Sequence, residues 1–118
     1  MPIRTVNEPR AAHPEDVAAP ETDNTPAVVY YPPAGATRCH VLGGVAWSYS
    51  GVPLGGQLTI EDGSGRVVRR FDITEPGLDA IGFDPPLKGS PNTALILTLA
   101  AAGPGVFGKL NALSHWTE

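Results

Sequence analysis

Cys39 and His40 are adjacent in the sequence, and a histidine within hydrogen-bond reach of a thiol is the arrangement that activates a cysteine nucleophile. On a strand, neighbouring side chains point to opposite faces. The pair should therefore diverge, and Cys39 reads as a small buried hydrophobe. His13, His40 and His115 are far apart and lack His-x-His or Cys-x-x-Cys spacing, whereas a structural zinc site takes four ligands at close spacings. A site shared between subunits about a symmetry axis is the one metal arrangement this leaves open. Asp72, Asp79 and Asp84 could pair in a cleft, yet they lie beside turns, where carboxylates are ordinarily solvated. Gly63-Ser64-Gly65 lacks the Lys-Ser/Thr ending and the following helix of a phosphate cradle. These residues point to no catalytic, metal or cofactor site, and the expectation is a protein that is not an enzyme.

The aromatic residues carry more. Trp47, Tyr49 and Trp116 could form a platform for sugar rings, as in carbohydrate-binding sandwiches, with the rings exposed together on one surface. Against this, Trp47 and Tyr49 share the predicted core face of one strand, a core tryptophan is common in sandwiches, and burial of both would remove the platform reading. Trp116 reads either as a lid on the core or as an interface anchor.

Positioning such residues requires strands, and the patterning supplies them. From Cys39 to Tyr49 the odd positions (Cys39, Val41, Gly43, Val45, Trp47, Tyr49) form one face, predicted to be the core face. His40 and Ser48 then fall on the other. Gln57–Glu61 and Val67–Ile73 flank Asp62-Gly63-Ser64-Gly65, a strong hairpin signal that places Leu58 and Ile60 inward with Phe71 and Ile73, and Glu61 across from Arg70. Ala27–Tyr31 is a short strand closed by Pro32-Pro33. Leu78–Phe83 is a further short strand, and Asp84–Gly89 a connection. Thr93–Leu99 and Val106–Trp116 are joined by Ala102-Gly103-Pro104-Gly105, which predicts a β-hairpin over 91–117. About seven strands at sandwich-like spacing predict an all-β, antiparallel two-sheet β-sandwich, jelly-roll-like, over residues 27–118.

Composition agrees. Thirteen prolines and fourteen glycines in 118 residues argue against long helices, and a chain of this length builds one modest core. A net charge of −4 with eight basic residues leaves no electrostatic footprint for nucleic acid. The lone Cys39 forms no internal disulfide, and neither a membrane-spanning apolar run nor a signal-peptide core is visible, so a soluble chain made in the cytoplasm is expected. Residues 1–26 differ from the rest. Pro2, Pro9, Pro14, Pro20 and Pro26 recur among Ala, Glu, Asp and Thr, the composition of an extended arm.

The run Pro86-Leu87-Lys88-Gly89-Ser90-Pro91-Asn92-Thr93-Ala94-Leu95, with Thr98–Ala112, Trp47–Gly51 and Gly56–Gly63, resembles small structural proteins of tailed bacteriophages and prophages. The resemblance covers about residues 27–118 and rests on a strand-and-turn pattern. It implies a virion component of the capsid decoration (cement) type, bound to the major capsid protein on the capsid surface, and a homotrimer, since such proteins often sit on threefold positions. A tail or head-fibre component is the neighbouring alternative. The arm's part in this rests on composition: Ile3, Val6 and Val17 would be its apolar anchors, with Arg4 and Arg10 available to capsid carboxylates, and Phe107, Leu113 and Trp116 candidates for contacts between subunits.

Overall fold

The computed structural model describes residues 16–118, which form two antiparallel four-stranded sheets and no α-helix. In chain order the strands are β1 (Val17–Ala18), β2 (Ala27–Tyr31), β3 (His40–Tyr49), β4 (Gln57–Asp62), β5 (Val67–Asp72), β6 (Gly77–Lys88), β7 (Leu95–Leu99) and β8 (Gly108–Thr117). The first sheet runs β1-β8-β3-β6 and the second β2-β7-β4-β5. The pairs β4·β5, β3·β6, β2·β7 and β1·β8 are nested, as if one long hairpin with its tip at Asp62–Gly65 had been wrapped around a core. Wrapping brings β8 beside β3 and β7 beside β4, the pairings that close each sheet. This is the two-sheet jelly roll expected, with eight strands among the described residues where about seven were counted, the added one being β1 within the segment read as an arm.

The core follows from period-two patterning. Val29, Leu58, Ile60, Leu97 and Leu99 from the second sheet meet Leu42, Val45, Trp47, Tyr49 and Leu110 from the first. Leu58 lies opposite Leu99 and Ile60 opposite Leu97, so side chains already paired within their sheet also fill the layer between sheets. Full burial of each such leucine or isoleucine contributes about 1.5–3 kcal/mol.

Three expectations change. The segment 91–117 is not a hairpin, because β7 belongs to the second sheet and β8 to the first. Leu95, Leu97 and Leu99 on one strand and Leu110 and Ala112 on the other each present an apolar row to the core. Two such rows bury more surface face to face than edge to edge, and Gly103 and Gly105, both at positive φ, turn the chain across the gap. The short strand at Leu78–Phe83 and the connection after it form one long strand, β6. Leu87 lies opposite Leu42 and Gly82 opposite Gly44, so the residues between them, including the cis Asp84–Pro85 bond, bulge without ending the pairing.

The third change is in β3. Val45, Trp47 and Tyr49 face the core as the alternation predicts, but upstream it is Leu42 that reaches the core. The face switches at Gly43-Gly44, opposite Ser114, whose φ is 57°. A Cβ on Gly43 would lie 2.8 Å from that of Ser114, so only glycine lets the two strands kink together. His40 therefore turns inward, and Val41 shares the outer face with its register partner Trp116.

The hairpin tip is tied to the body by Asp62, which is 1 % exposed. Its carboxylate accepts from the Ser64 hydroxyl and N–H, from Arg66 Nε at 3.0 Å and from Ser90 Oγ at 2.8 Å. Glu61, by contrast, lies opposite Val67, because the hairpin register sets Arg70 opposite Thr59 and then shifts after Ile60. The expected Glu61–Arg70 pair is absent among the described residues.

Candidate functional site

His40 and His115, remote in sequence, meet at one end of the sandwich. The kink in β3 and β8 turns both inward, and His40 Nδ1 lies 2.9 Å from His115 Nε2. His40 Nε2 is 2.6 Å from the Pro32 carbonyl oxygen, which can only accept, so Nε2 carries the proton. In the neutral ring Nδ1 then accepts from His115 Nε2–H. Tyr31 stacks flat on His115, with ring centroids 3.7 Å apart, and its hydroxyl donates to the Asp16 carboxylate. With Arg38 and Thr117 these rings line a recess of about 420 Å³. Arg38 Nη2 is committed to Thr117 Oγ1 at 2.7 Å.

His40 is 4 % exposed, where the alternation had placed it on the face away from the core. Both its ring nitrogens are spent inside the protein, so it has none left to take a proton from a substrate. This cluster closes one end of the barrel of side chains and orders the β2–β3 connection. Among the described residues no group of three or more His, Cys, Asp or Glu is placed to hold a metal ion. His13 lies outside the described residues. Cys39 is buried with a free thiol, and its backbone pairs with Glu118 in both directions.

A second recess, of about 230 Å³, opens where the β5–β6 connection crosses from sheet to sheet. Trp47 lines it, and around it stand Asp72, Thr74, Glu75, Leu78 and Asp79. Asp79 is the register partner of Trp47 across β3 and β6, so it faces the same side, and Asp72 ends β5. The wrap of the jelly roll thus brings together two of the three aspartates singled out in the sequence; Asp84 lies in the bulge of β6 and is not among the lining residues.

Trp47 is only 8 % exposed, and Tyr49 2 %, so the two form no surface platform. The Tyr49 hydroxyl donates to the Ala100 carbonyl oxygen at 2.7 Å, and burial pushes its pKa up. The Trp47 indole N–H has no acceptor among the described residues. Every fully buried side-chain nitrogen or oxygen described does have a partner, so this N–H is one that solvent reaches, and Trp47 is one of the residues that line the recess. The carboxylates beside it are likewise uncommitted to cations. Among the described residues the ion pairs are Arg66–Asp62 and Lys88–Glu118, and no described Lys, Arg or His lines the recess. The recess is thus lined by a tryptophan that is nine-tenths buried and has an unused indole donor, together with the Asp72, Glu75 and Asp79 carboxylates and the Thr74 hydroxyl. Trp47 had been read from sequence only as a platform or a core residue, since no sequence signal shows that the edge of a core ring opens into a recess.

The residues nominated for partner contacts are dispersed. Ile3, Arg4, Val6 and Arg10 lie outside the described residues. Val17 sits in β1, opposite Asn111, and is 45 % exposed. Phe107 precedes β8, and Leu113 stands opposite Gly44 on the outer face of the first sheet. Trp116, half-buried, donates its indole N–H to Glu118 Oε2 at 3.1 Å, and Glu118 also pairs with Lys88 at 3.4 Å. The Trp116 hydrogen bond, followed by that of Lys88, lowers the Glu118 pKa.

No protein-family model matches this chain, and no curated protein matches it by sequence. Among solved structures it is similar to the carbohydrate-binding module CBM36 in complex with calcium and xylotriose, at 14 % identity and a TM-score of 0.43 over 85 % of this chain and 76 % of that one. It is also similar to the carbohydrate-binding module CBM6cm-2 from Cellvibrio mixtus lichenase 5A in complex with cellotriose, at 18 % identity and a TM-score of 0.36 over 86 % and 69 % of the two chains. A third similarity is to the insecticidal delta-endotoxin Cry8Ea1 from Bacillus thuringiensis, at 13 % identity and a TM-score of 0.38, covering 78 % of this chain and 19 % of that one. At these TM-scores none of the three carries a ligand or a residue role over to this protein.

Proposed function

We propose that this protein is a non-catalytic β-sandwich recognition module that binds a glycan in the recess at Trp47. The observation that carries the reading is a nearly buried tryptophan with a solvent-reached indole N–H that lines one recess with Asp72, Thr74, Glu75 and Asp79. A sugar ring offers hydroxyl protons to carboxylates and hydroxyl oxygens to an indole donor, so it matches both halves of this set. The sugar is taken edge-on through hydrogen bonds, since Trp47 and Tyr49 present no open ring face. Hydrogen bonds to charged groups contribute about 1.5–3 kcal/mol each, so Asp72→Asn or Asp79→Asn should weaken binding roughly tenfold or more. Glycan-array screening followed by calorimetry on the wild type and both variants checks this. Absence of binding to every glycan on the array would sink the proposal.

A second reading, a capsid-bound structural protein of a tailed phage, is favoured by a different observation. On the outer face of the second sheet Val28 and Tyr30 are 47 % and 54 % exposed, beside Thr98 and Ile96 respectively. Exposed apolar side chains grouped on a flat sheet face suit a contact with a neighbouring protein subunit. Together with the resemblance to phage structural proteins, this face supports docking to a capsid lattice. Tyr30→Glu should then abolish decoration of capsids that lack the protein, measured by co-sedimentation. Unchanged co-sedimentation would count against this face as the contact.

A further inference from the structure

The recess at Trp47 differs from an ordinary sugar site in its charge. Asp72, Glu75 and Asp79 line it, and among the described residues no cationic side chain does. None of the three takes part in an ion pair among the described residues. Asp79 Oδ1 accepts from the Ala80 N–H at 2.8 Å, which fixes that carboxylate while leaving its second oxygen available. A neutral sugar would satisfy hydrogen bonds here but would leave three like charges uncompensated around a small volume. An anionic sugar would add a fourth.

From this arrangement we infer that the ligand is a glycan bearing free amino groups, a glucosamine-type oligosaccharide, whose ammonium is held by Asp72, Glu75 and Asp79 while a neighbouring hydroxyl oxygen accepts the Trp47 indole N–H. The inference rests on the glycan reading above and narrows its ligand class. Two features of the recess select an amino sugar over other cations. A lysine side chain or a simple polyamine offers only donors when charged, so it would meet the carboxylates but leave the Trp47 N–H unmatched. An amino sugar carries the cationic donor and neutral oxygen acceptors within one ring, the pairing that the recess presents in reverse. Thr74, with a hydroxyl that both donates and accepts, completes the lining.

The discriminating comparison is calorimetric titration of the full chain with a chitosan oligomer, the fully N-acetylated oligomer of the same length, a cello-oligosaccharide and spermidine. The chitosan oligomer should bind roughly tenfold or more tightly than either neutral oligomer at low salt, with the advantage shrinking as salt is raised. Asp72→Asn and Asp79→Asn, both exposed positions, should remove that advantage, and Trp47→Phe should weaken chitosan and neutral oligomers alike. Far-ultraviolet circular dichroism of each variant confirms that it folds. Equal binding of the amino and N-acetylated oligomers would overturn the amino-sugar inference and leave the glycan reading standing. Binding of spermidine as tight as that of the chitosan oligomer would also overturn it, by showing a site for charge alone. Failure of all three oligosaccharides to bind would overturn the amino-sugar inference, while the glycan reading falls only if the array also shows no binding.

Discussion

Asp62 shows how much a single residue can hold. Its side chain is fully buried, yet burial, which works against the charged form, is outweighed by the Ser64 and Ser90 hydroxyls, the Ser64 N–H and Arg66, and its pKa is held well below the usual carboxylate range. A carboxyl with a depressed folded-state pKa contributes stability above its unfolded value, near 4, and that stability is lost as pH falls below it, because the unfolded chain then binds the proton more readily. Asp62→Asn should cost about 1–3 kcal/mol at neutral pH, the range for losing charged hydrogen bonds in a buried setting. It should also flatten the decline in stability between neutral and acid pH. Urea denaturation of both proteins at a series of pH values checks both outcomes, and parallel pH profiles would show that another group sets the slope. The Asp-Gly turn signal was legible in the sequence. That Asp62 also gathers Ser90, 28 positions later, was not, because the contact exists only once the jelly roll has wrapped.

At the scale of elements, strand positions were largely readable and strand partners were not. Alternation located β2, β3, β4, β5, β7 and β8, because each lays an apolar row on a shared core. It misplaced the β7–β8 relation because a tight Gly-Pro-Gly link between two apolar strands looks alike whether the strands pair or face each other across a core. It also put His40 outward, since a strict period of two has no means of representing the switch at Gly43 opposite Ser114. Glycines mark such places, and they differ in kind. A Cβ on Gly56 would sit 2.5 Å from the Ile73 carbonyl oxygen, and that backbone leads directly into the connection lining the Trp47 recess. A Cβ on Gly65, at φ +88°, would meet nothing within 4 Å. Gly56→Ala should therefore cost about 2–3 kcal/mol by forcing backbone apart, and should weaken ligand binding as well. Gly65→Ala should cost about 1 kcal/mol, the strain of a left-handed alanine, and leave binding unchanged. Denaturant midpoints measured beside binding isotherms separate the two. An equal effect of both substitutions on binding would show that the β5–β6 connection does not position the recess.

For the whole molecule, the question is where the body ends and the arm begins. Composition groups residues 1–26 together, because nothing in their sequence distinguishes residues 16–26 from those before them. The described part of that segment is joined to the sandwich at three places. Val17 and Ala18 add β1 to the edge of β8, Asp16 accepts the Tyr31 hydroxyl beneath the His40–His115 pair, and the Asp23 and Asn24 side chains accept from Gly105 and Gly103 in the β7–β8 crossover. The Asn24 N–H also donates to the Val106 carbonyl oxygen at 2.9 Å. These links act on the fold whatever residues 1–15 contribute. Deleting residues 1–25 should therefore destabilise the domain by about 2–4 kcal/mol relative to deleting residues 1–15, from the loss of several hydrogen bonds at about 1 kcal/mol each and of the edge strand. Thermal unfolding of the two truncations measures the difference. The comparison bears directly on capsid docking, because loss of decoration by the longer truncation alone would report a weakened body. Only the shorter truncation isolates Ile3, Arg4, Val6 and Arg10, and loss of capsid binding there, at unchanged melting temperature, is the outcome expected if those residues are the anchors. Equal melting temperatures for the two truncations would show that residues 16–25 contribute nothing to the sandwich, contrary to the bonds they make.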